Sequence, residues 1–398
     1  MRGRRWMIGS SLSFSPSSYH LLKRNARTIS SKSIQVQPCQ NDTHFLQRPK
    51  KEDLQFGTTM SDHMLMIEYE NNQWKDPIIQ PYQPLSISPA ASCLNYGLTC
   101  FEGMKAYRST VDNKSIRLFR PHLNMDRLRS SMTRLHMPGI DFDSNELIEC
   151  IKELVRIDER WVPEGEGYSL YIRPNVIGIN KYLGVAPPDS LLLYVITSPV
   201  GPYYKTGFRP IRLKCENFYK RAFPGGTGNT KVGGNYAPTM KPAAEAASQG
   251  YAQVLWMLDD DITEVGAMNI FFLFKGGGGR NGTHDKKEKK KILVTPPLSR
   301  GDILPGVTRR SILELASTWS DIEVQERNIT LTEVKEAAKR NEILEVFGAG
   351  TAAVVTPVSG IDDITIHAPG DFTQKIWREL IDIQYGRKIH PDNWSMEV

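Results

Sequence analysis

Cysteine is scarce in this chain, and the positions of the few cysteines exclude two kinds of site. The 398 residues include five cysteines, an odd number that cannot pair completely within one chain. No two of them form a C-x-x-C pair, and none stands at a zinc-ligand spacing from a histidine or another cysteine. We therefore expect a reducing compartment, with neither a disulfide framework nor a metal site. The five are Cys39, Cys93, Cys100, Cys150 and Cys215.

Long apolar runs are also missing. The mean hydropathy is −0.39, and no uninterrupted apolar stretch reaches the roughly 18 residues of a membrane-spanning helix. The apolar run 191–196 is short enough to predict a buried strand. Glycine and proline, at 31 and 25 residues, suffice for many turns but not for a low-complexity protein. With 40% hydrophobic residues, a chain of this length predicts two globular domains and no membrane partner.

Acidic residues are absent before Asp42, whereas the same segment holds seven arginines and lysines. The remaining 43 basic residues are balanced by 44 acidic ones, so the formal charge of +6 belongs to the N-terminal segment. A body without excess positive charge does not favour a nucleic-acid partner. The arginine-rich, serine-rich start is typical of a mitochondrial transit peptide, which we place within residues 1–45 and which predicts a matrix location. A disordered basic arm is the alternative interpretation.

The remaining chain divides into two predicted domains. Residues 46–199 mix short strands with amphipathic helices, which is typical of an α+β domain. Residues 200–207 contain proline and glycine and are the predicted connector, and residues 208–398 form the larger second domain. Helices are predicted at 123–135, 144–157, 242–249 and 308–319.

Residues 276–291 differ in composition from the rest of the second domain. Four consecutive glycines are followed by a run that includes five lysines. Such a segment cannot bury apolar surface, so we expect a solvated extension of the hairpin between a strand that starts at Asn269 and a strand at 292–294. A surface insertion is the favoured interpretation, and a site for phosphate or an acidic partner is the alternative.

Lys231 stands in the glycine-rich run GGTGNTKVGGNY at 225–236. A lysine becomes useful for covalent chemistry when its surroundings favour the neutral amine, which can form an imine (Schiff base) with a carbonyl compound. Glycines on either side allow the backbone to approach a bulky cofactor. Taken alone, a lysine between glycines is more often a solvated loop residue. Other motifs along the chain change this weighting.

These motifs occur in a fixed order. They are FGT at 56–58, DHML at 62–65, CFEGMKA at 100–106, LFRP at 118–121, NMDR at 124–127, LYIRP at 170–174, TEVGAMN at 263–269, LPGVTRRS at 304–311 and FGAGTAA at 347–353. Together with the Lys231 run they closely resemble the branched-chain amino acid aminotransferases, fold-type IV enzymes that use pyridoxal 5'-phosphate (PLP). The resemblance extends from about residue 56 to residue 387.

The resemblance implies an α/β (α+β) fold of two domains. A small N-terminal domain would pack against a larger C-terminal domain built on a pseudo-barrel, with PLP at the domain interface. The implied enzyme is a homodimer. It would transfer the amino group of leucine, isoleucine or valine to 2-oxoglutarate, giving branched-chain 2-oxo acids and glutamate.

The same resemblance assigns the cofactor residues. Lys231 would form the imine with PLP and move the proton between Cα and C4′. Glu264 would face the pyridine nitrogen, and Tyr236 would hydrogen-bond the phenolic oxygen. A helix N-terminus at Gly306, Val307 and Thr308 is expected to bind the phosphate. Further phosphate or cofactor contacts are assigned to Gly350, Thr351, Arg127, Arg221 and Asn269.

A substrate pocket follows from the resemblance as well. Phe56, Tyr96, Phe101 and Tyr171 match its aromatic wall, although each aromatic residue taken singly is more often plain core. Two amides and one cation are expected to bind the substrate carboxylates. The Ala352 and Ala353 amides match donors for the α-carboxylate, and Arg173 would bind the γ-carboxylate of glutamate. Ala267 stands where the family commonly has threonine, which leaves the preference among leucine, isoleucine and valine open.

Three alternatives stay open at this point. D-amino acid aminotransferase and aminodeoxychorismate lyase share the fold, but the YIRP and FEGMK motifs argue against both. A PLP-binding scaffold protein without catalysis is the alternative from another functional class. Lys231, Glu264, Tyr236 and Arg127 stand together in this chain, which makes a silent protein the weaker interpretation.

Overall fold

The computed structural model describes residues 28–39, 47–202, 208–276 and 290–398. Within these ranges the chain forms two large β-sheets flanked by helices, so the expected α/β fold is confirmed. None of the helices in the described part of the chain is long and apolar enough to cross a membrane.

The first sheet is built around a long antiparallel hairpin. Its two strands pair from Ser169 opposite Val200 to Gly178 opposite Leu191, and both are buried along most of their length. This burial explains the apolar run predicted as a strand at 191–196. In chain order the strands are β1 (Gln35–Val36), β2 (His63–Glu70), β3 (Gln73–Trp74), β4 (Ile78–Pro81), β5 (Thr99–Phe101), β6 (Met104–Arg108), β7 (Ile116–Phe119), β8 (Ser169–Gly178) and β9 (Leu191–Val200). The lateral order is β1-β4-β2-β9-β8-β6-β7, with β3 against β2 and β5 against β8.

Three helices accompany this sheet, namely α1 (Ser92–Tyr96), α2 (Pro121–Arg134) and α3 (Ser144–Ile157). The predicted helix 144–157 is confirmed with the same bounds. It begins there because the Asp143 side chain accepts a hydrogen bond from the Asn145 N–H, which caps the first turn. The predicted helix 123–135 is also confirmed. It starts earlier, at Pro121, because proline suits the first helical turn.

The second sheet follows in the C-terminal half of the chain. Its strands are β10 (Ile211–Glu216), β11 (Gln253–Leu258), β12 (Asp261–Val265), β13 (Asn269–Phe274), β14 (Lys291–Thr295), β15 (Ile322–Glu326), β16 (Ile343–Gly350), β17 (Val354–Ile361) and β18 (Ile364–Thr365). Their order is β12-β11-β10-β17-β16-β13-β14-β15, with β18 against β17. β13 lies between β16 and β14 and is buried on both faces, which accounts for its apolar sequence NIFFLF.

Four helices belong to this half, namely α4 (Met240–Ser248), α5 (Val307–Ser317), α6 (Leu331–Lys339) and α7 (Asp371–Gln384). The helices predicted at 242–249 and 308–319 are confirmed as α4 and α5, with shifts of one or two residues at their ends. α5 and α7 pack their apolar faces against the aromatic core around Phe271, Phe347 and Phe372. The loop before α5 is thereby held at the edge of the sheet.

The chain returns to the first sheet at its C-terminus. A last strand, β19 (Ser395–Glu397), pairs antiparallel with β7, and the Arg120 N–H donates to the Trp394 carbonyl at 2.7 Å. The Arg120 guanidinium also lies 4.0 Å from the centre of the Trp394 ring. Residues 203–207 of the predicted connector lie outside the described ranges, and the domain limits 46–199 and 208–398 stay predictions.

Residues 28–37 correct the expected extent of the leader, residues 1–45. Ile29 is fully buried in the core of the first sheet, and β1 pairs in parallel with β4. The Ser31 N–H and hydroxyl both donate to Glu146 Oε2, at 2.5 and 2.7 Å. Sequence patterns miss this segment because a two-residue strand has no measurable period. The described residues from Thr28 to Gln37 therefore belong to the folded part of the chain.

The hairpin expected around the glycine- and lysine-rich segment is confirmed. β13 and β14 pair antiparallel, with Phe274 opposite Ile292. Most of the segment 276–291 itself lies outside the described residues, so its surface role stays a prediction.

The packing of residues 28–37 predicts a sharp difference between a truncation and a substitution. Removal of residues 1–27 should leave the free energy of unfolding unchanged within about 0.5 kcal/mol. Ile29→Ala should lower it by about 2–5 kcal/mol, because the substitution leaves a cavity in a closed core. Val36→Ala is the matched control, since Val36 is 44% exposed. Urea titration of the purified proteins measures all three, and equal stability of the Ile29 and Val36 variants would contradict the packing.

Candidate active site

A cavity of about 410 Å³ is lined by residues from both halves of the molecule. It collects most of the residues that the sequence assigned to cofactor or substrate. Those on its wall are Phe56, Phe101, Arg127, Tyr171, Arg173, Lys231, Tyr236, Ala267, Asn269, Gly306, Val307, Thr308, Gly350, Thr351 and Ala352. Residues more than 290 positions apart in the chain therefore meet around one space.

Lys231 is held by its backbone, and its side chain projects into this cavity. Its carbonyl accepts from the Phe101 N–H at 3.0 Å, and its N–H donates to the Ser131 hydroxyl at 2.9 Å. Its Nζ donates to the Tyr236 hydroxyl at 3.0 Å and lies 4.6 Å from the centre of the Phe101 ring. The next turn requires Gly233, because a Cβ there would lie 2.2 Å from Thr99 Oγ1. The amine therefore has a defined position against two aromatic rings.

Glu264 lies behind the cavity wall and does not line the cavity. It is 2% exposed, and its carboxylate accepts from Arg221 Nε at 2.8 Å, the Leu304 N–H at 2.8 Å and Asn269 Nδ2 at 3.2 Å. Burial raises the pKa of the Glu264 carboxyl, while the Arg221 cation and the Leu304 N–H oppose the rise. Asn269, which does line the cavity, also donates to the Leu304 carbonyl at 2.9 Å. Glu264 is thus a buried acid anchored at the cavity's edge by a fixed set of donors.

The N-terminus of α5 forms one end of the cavity. Gly306 caps the helix, and the first helical hydrogen bond runs from the Arg310 N–H to the Gly306 carbonyl at 3.0 Å. The N–H groups of Val307 and Thr308 precede that bond, so they lie where a helix offers donors and a positive partial charge to an anion. A Cβ at position 306 would lie 2.1 Å from Asn269 Oδ1, so only glycine fits here.

Arg127 reaches the same end of the cavity and is held by a residue to which the sequence assigned no role. Glu102 is fully buried and binds Arg127 through two parallel hydrogen bonds of 2.8 Å, from Nε and from Nη2. Asn124 Nδ2 and the Gly103 N–H also donate to Glu102, at 2.8 and 3.2 Å. Arg127 Nη1 donates to the Pro305 carbonyl at 3.1 Å, and each terminal nitrogen keeps a second N–H.

A signal for Glu102 was present in the sequence. An acid inside the apolar run CFEGM is costly to bury without a cation, so this run predicts a basic side chain beside Glu102. What the sequence does not contain is the identity of that cation, since Arg127 is one of many arginines.

An aromatic wall surrounds the second arginine of the cavity. The Phe56 and Tyr171 rings meet edge to face at 4.8 Å, and the Arg173 guanidinium lies 4.7 Å from the Phe101 ring centre. Arg173 Nη2 donates to the Tyr171 hydroxyl at 3.3 Å, and Arg173 Nε makes no hydrogen bond to the described residues. No carboxylate in the same ranges forms a salt bridge with Arg173. Gly103 makes room for Tyr171, because a Cβ there would lie 2.1 Å from the Tyr171 hydroxyl.

Four assigned residues do not line this cavity. Glu264 and Arg221 form the buried pair behind it, and Ala353 faces an adjoining cavity of about 180 Å³. Tyr96 is 46% exposed at the end of α1 and lies outside the cavity. In the ranges that the structure describes, no group of three or more His, Cys, Asp or Glu side chains could hold a metal ion.

The chain is similar to known proteins over most of its length. Residues 99–361 match the model of the amino-transferase class IV family. The chain is 47% identical to a branched-chain-amino-acid aminotransferase of Monosiga brevicollis over 355 residues, which cover 86% of this chain and 87% of the relative. It is 48% identical to the cytosolic branched-chain-amino-acid aminotransferase of Saccharomyces cerevisiae, with 89% and 95% covered, and 46% identical to the mitochondrial one, with 87% and 88% covered.

Solved structures agree on the fold. A branched-chain aminotransferase from Thermoproteus uzoniensis with norvaline superposes with a TM-score of 0.67 at 24% identity, covering 84% of this chain and 99% of that one. The branched-chain amino acid aminotransferase of Thermobaculum terrenum in its PLP form gives a TM-score of 0.67 at 22% identity, with 84% and 98% covered. This chain belongs to the class IV aminotransferases and, within them, to the branched-chain-amino-acid aminotransferases. It is an enzyme that transfers amino groups between amino and oxo acids.

The Glu102–Arg127 pair generates a prediction about stability. Glu102→Gln should lower the free energy of unfolding by about 3–5 kcal/mol, because it leaves a buried guanidinium without its counter-charge. Glu153→Gln is the matched control, since Glu153 and its partner Arg156 are 38% and 44% exposed. The control should change stability by less than about 1 kcal/mol. Urea unfolding of the two variants beside the unchanged protein makes the comparison, and similar losses in both would argue against a structural role for the buried pair.

Proposed function

We propose that the enzyme interconverts leucine, isoleucine and valine with their 2-oxo acids, using 2-oxoglutarate and glutamate as the second pair and PLP as cofactor. The observation that carries this proposal is the shared cavity. Lys231 Nζ, held by Tyr236, and the Arg173 guanidinium, which no described carboxylate neutralises, face one largely aromatic space. Such a space suits an aliphatic side chain and, at one point, a carboxylate.

The residues present fit PLP at each of its polar groups. The N-terminus of α5, the hydroxyls of Thr308 and Thr351, and Arg127 supply donors for a phosphate at one end of the cavity. Glu264, buried at the edge of the cavity beside Asn269, would supply a carboxylate for a protonated ring nitrogen, and Tyr236 would supply a hydroxyl for the phenolic oxygen. When bound, PLP would supply the electron sink that stabilises negative charge at the substrate Cα.

The protein's own part in the reaction is to hold PLP and to move one proton. Lys231 Nζ would hold the cofactor at rest and, when free, would carry the proton between the substrate Cα and the C4′ atom of PLP. The Tyr236 hydroxyl, 3.0 Å away, orients Nζ for both transfers. Arg221 favours the ionised form of Glu264, against the pKa rise that burial causes, and Glu264 would hold the ring nitrogen of bound PLP.

The two substrates place opposite demands on the side-chain pocket. Leucine needs an apolar space, which Phe56, Phe101 and Tyr171 provide. Glutamate brings a carboxylate whose burial is costly without a cation. Arg173 lies against these rings, and its Nε makes no hydrogen bond to any described residue. It can therefore bind a substrate carboxylate without giving up a salt bridge to another described residue.

We also propose that the enzyme is a homodimer and that Tyr96 belongs to its interface. Tyr96 and Leu94 of α1, with Leu183 and Val185 after β8, expose 46%, 62%, 69% and 89% of their surface. Large apolar side chains exposed in this number suit a protein contact better than solvent. Light scattering that gives the mass of a single chain at micromolar concentration would contradict the proposal.

A mitochondrial location remains part of the proposed function. The support is the basic, acid-free segment that precedes Thr28, whereas the relatives include both mitochondrial and cytosolic proteins. Fusion of residues 1–27 to a fluorescent reporter tests it, and diffuse fluorescence throughout the cell would exclude this targeting.

The absorbance of the PLP-loaded protein tests the proposed reaction. We expect leucine to shift the visible cofactor band and 2-oxoglutarate to restore it, because each completes one half of the amino transfer. Lys231→Ala should lower the turnover rate by at least about a thousandfold, since it removes both the covalent link to the cofactor and the group that carries the proton. Lys241→Ala, in a residue 66% exposed on α4, should leave turnover unchanged. A band that ignores leucine would instead select a PLP-binding protein without transaminase activity.

Arg173 allows the two halves of the reaction to be separated. Arg173→Met should leave the leucine half-reaction comparatively intact and lower the specificity constant for glutamate by roughly 30-fold or more, because a buried carboxylate loses its cation. Single-turnover spectra with each amino acid measure the two separately. Arg212→Met, which also removes a guanidinium from beside a tyrosine ring but at the surface, is the matched control. Equal losses with both amino acids would make Arg173 a structural residue.

A further inference from the structure

Lys105 is a buried cation to which the proposed reaction gives no task. It lies on β6 between the buried residues Met104 and Ala106 and is 6% exposed. No salt bridge joins it to any carboxylate in the described ranges. An unpaired lysine in such a place costs stability, and a residue that costs stability is expected to contribute elsewhere.

The Lys105 side chain contacts the turn that closes the active-site cavity. Its Nζ donates to the Ala352 carbonyl at 2.7 Å. Ala352 belongs to the turn between β16 and β17, and it lines both the main cavity and the adjoining cavity on which Lys105 lies. Lys105 therefore contacts, from the adjoining cavity, a residue of the turn that also lines the main cavity.

The turn itself is strained and needs external support. Val354, the first residue after it, has φ of 61°. A β-branched residue rarely adopts this left-handed conformation, which persists only where surrounding contacts enforce it. The hydrogen bond from Lys105 to the carbonyl of Ala352, two residues before Val354, is a contact of this kind.

We propose that Lys105 is a positioning residue that orients the Ala352–Ala353 peptide for binding the substrate α-carboxylate. In a planar trans peptide the N–H points opposite to the carbonyl. When Lys105 draws the Ala352 carbonyl toward the adjoining cavity, the Ala353 N–H of the same peptide would turn away from it, toward the main cavity that Ala352 lines. This inference rests on the proposed function, in which the amides of this turn bind that carboxylate.

Protonation of Lys105 does not decide the contact. Burial lowers the pKa of Lys105 to about 7. Both the ammonium and the neutral amine carry N–H donors, so the hydrogen bond to the Ala352 carbonyl survives deprotonation. The groups that share the adjoining cavity with Lys105 are Tyr107, Glu166, Arg209 and Tyr385, and Glu166 is engaged by Arg387 at 2.9 Å.

The experiment compares ligands that differ only in the carboxylate. Calorimetric titration of the PLP-loaded enzyme with 4-methylpentanoate and with its neutral amide, 4-methylpentanamide, gives the preference for the charged group. Lys105→Met removes every N–H donor at nearly constant volume. We expect it to lower that preference by roughly 10-fold or more, as for loss of a hydrogen bond to a charged ligand. The leucine specificity constant should fall by a similar factor.

Two further variants make the result specific. Lys105→Arg keeps a donor within reach of Ala352 and should restore at least part of the preference. Lys114→Met changes an exposed lysine in the loop between β6 and β7 and should behave as the unchanged enzyme. Thermal unfolding should show that Lys105→Met is as stable as the parent or more so, because it removes a buried amine that no described carboxylate pairs with.

The outcomes separate this inference from the proposed function. A parent enzyme that does not respond to leucine would overturn the proposed function itself. A parent that responds, with Lys105→Met weakening the acid and the amide equally, would overturn the positioning role and leave the transaminase intact. If Lys105→Met does not fold, Lys105→Arg decides alone, since a preference lost despite a retained donor contradicts the proposal.

Discussion

The buried ion pair between Glu102 and Arg127 is the interaction on which the active-site cavity depends. Both side chains are buried, so water cannot take the place of either partner. Each charge is therefore stabilised only while the two parallel hydrogen bonds between them hold. The guanidinium also binds the Pro305 carbonyl, just before the helix that ends at the cavity. One side chain of the first half is thereby fixed against the turn before α5 in the second half, where we propose that the phosphate binds.

Charges around the cavity differ in how completely they are paired, and the difference matches the role proposed for each. Glu264 and Arg221 satisfy one another behind the wall and hold a position without meeting a substrate. Arg173 keeps a nitrogen unbonded within the described chain and faces the open space, as a residue awaiting a carboxylate would. Lys105 lies between these cases, with one backbone acceptor and no acid among the residues described. Because an unpaired buried charge is costly, each incomplete pairing marks a place where a ligand or a strained turn completes the set.

The elements that could be predicted are those with a long period or a strong end signal. The helix Ser144–Ile157 shows both, an apolar stripe and an aspartate cap. Residues 28–37 show neither, because a two-residue strand and a single buried isoleucine leave no pattern in a segment that otherwise reads as a basic leader. The return of the C-terminal strand to the first sheet is equally invisible, since strand pairing over nearly 280 positions depends on the whole fold.

The sequence by itself determined the family and the α/β class, because motifs in a fixed order record which side chains the chemistry needs. The role of Lys231 as the reactive lysine stays a prediction from the same motifs. It did not contain Glu102 as the partner of Arg127, the position of Tyr96 outside the cavity, or the contact of Lys105 with Ala352. Tertiary structure alone decided these. A contact energy depends on distance and burial, and those arise only when strands and turns remote in the chain are packed against one another.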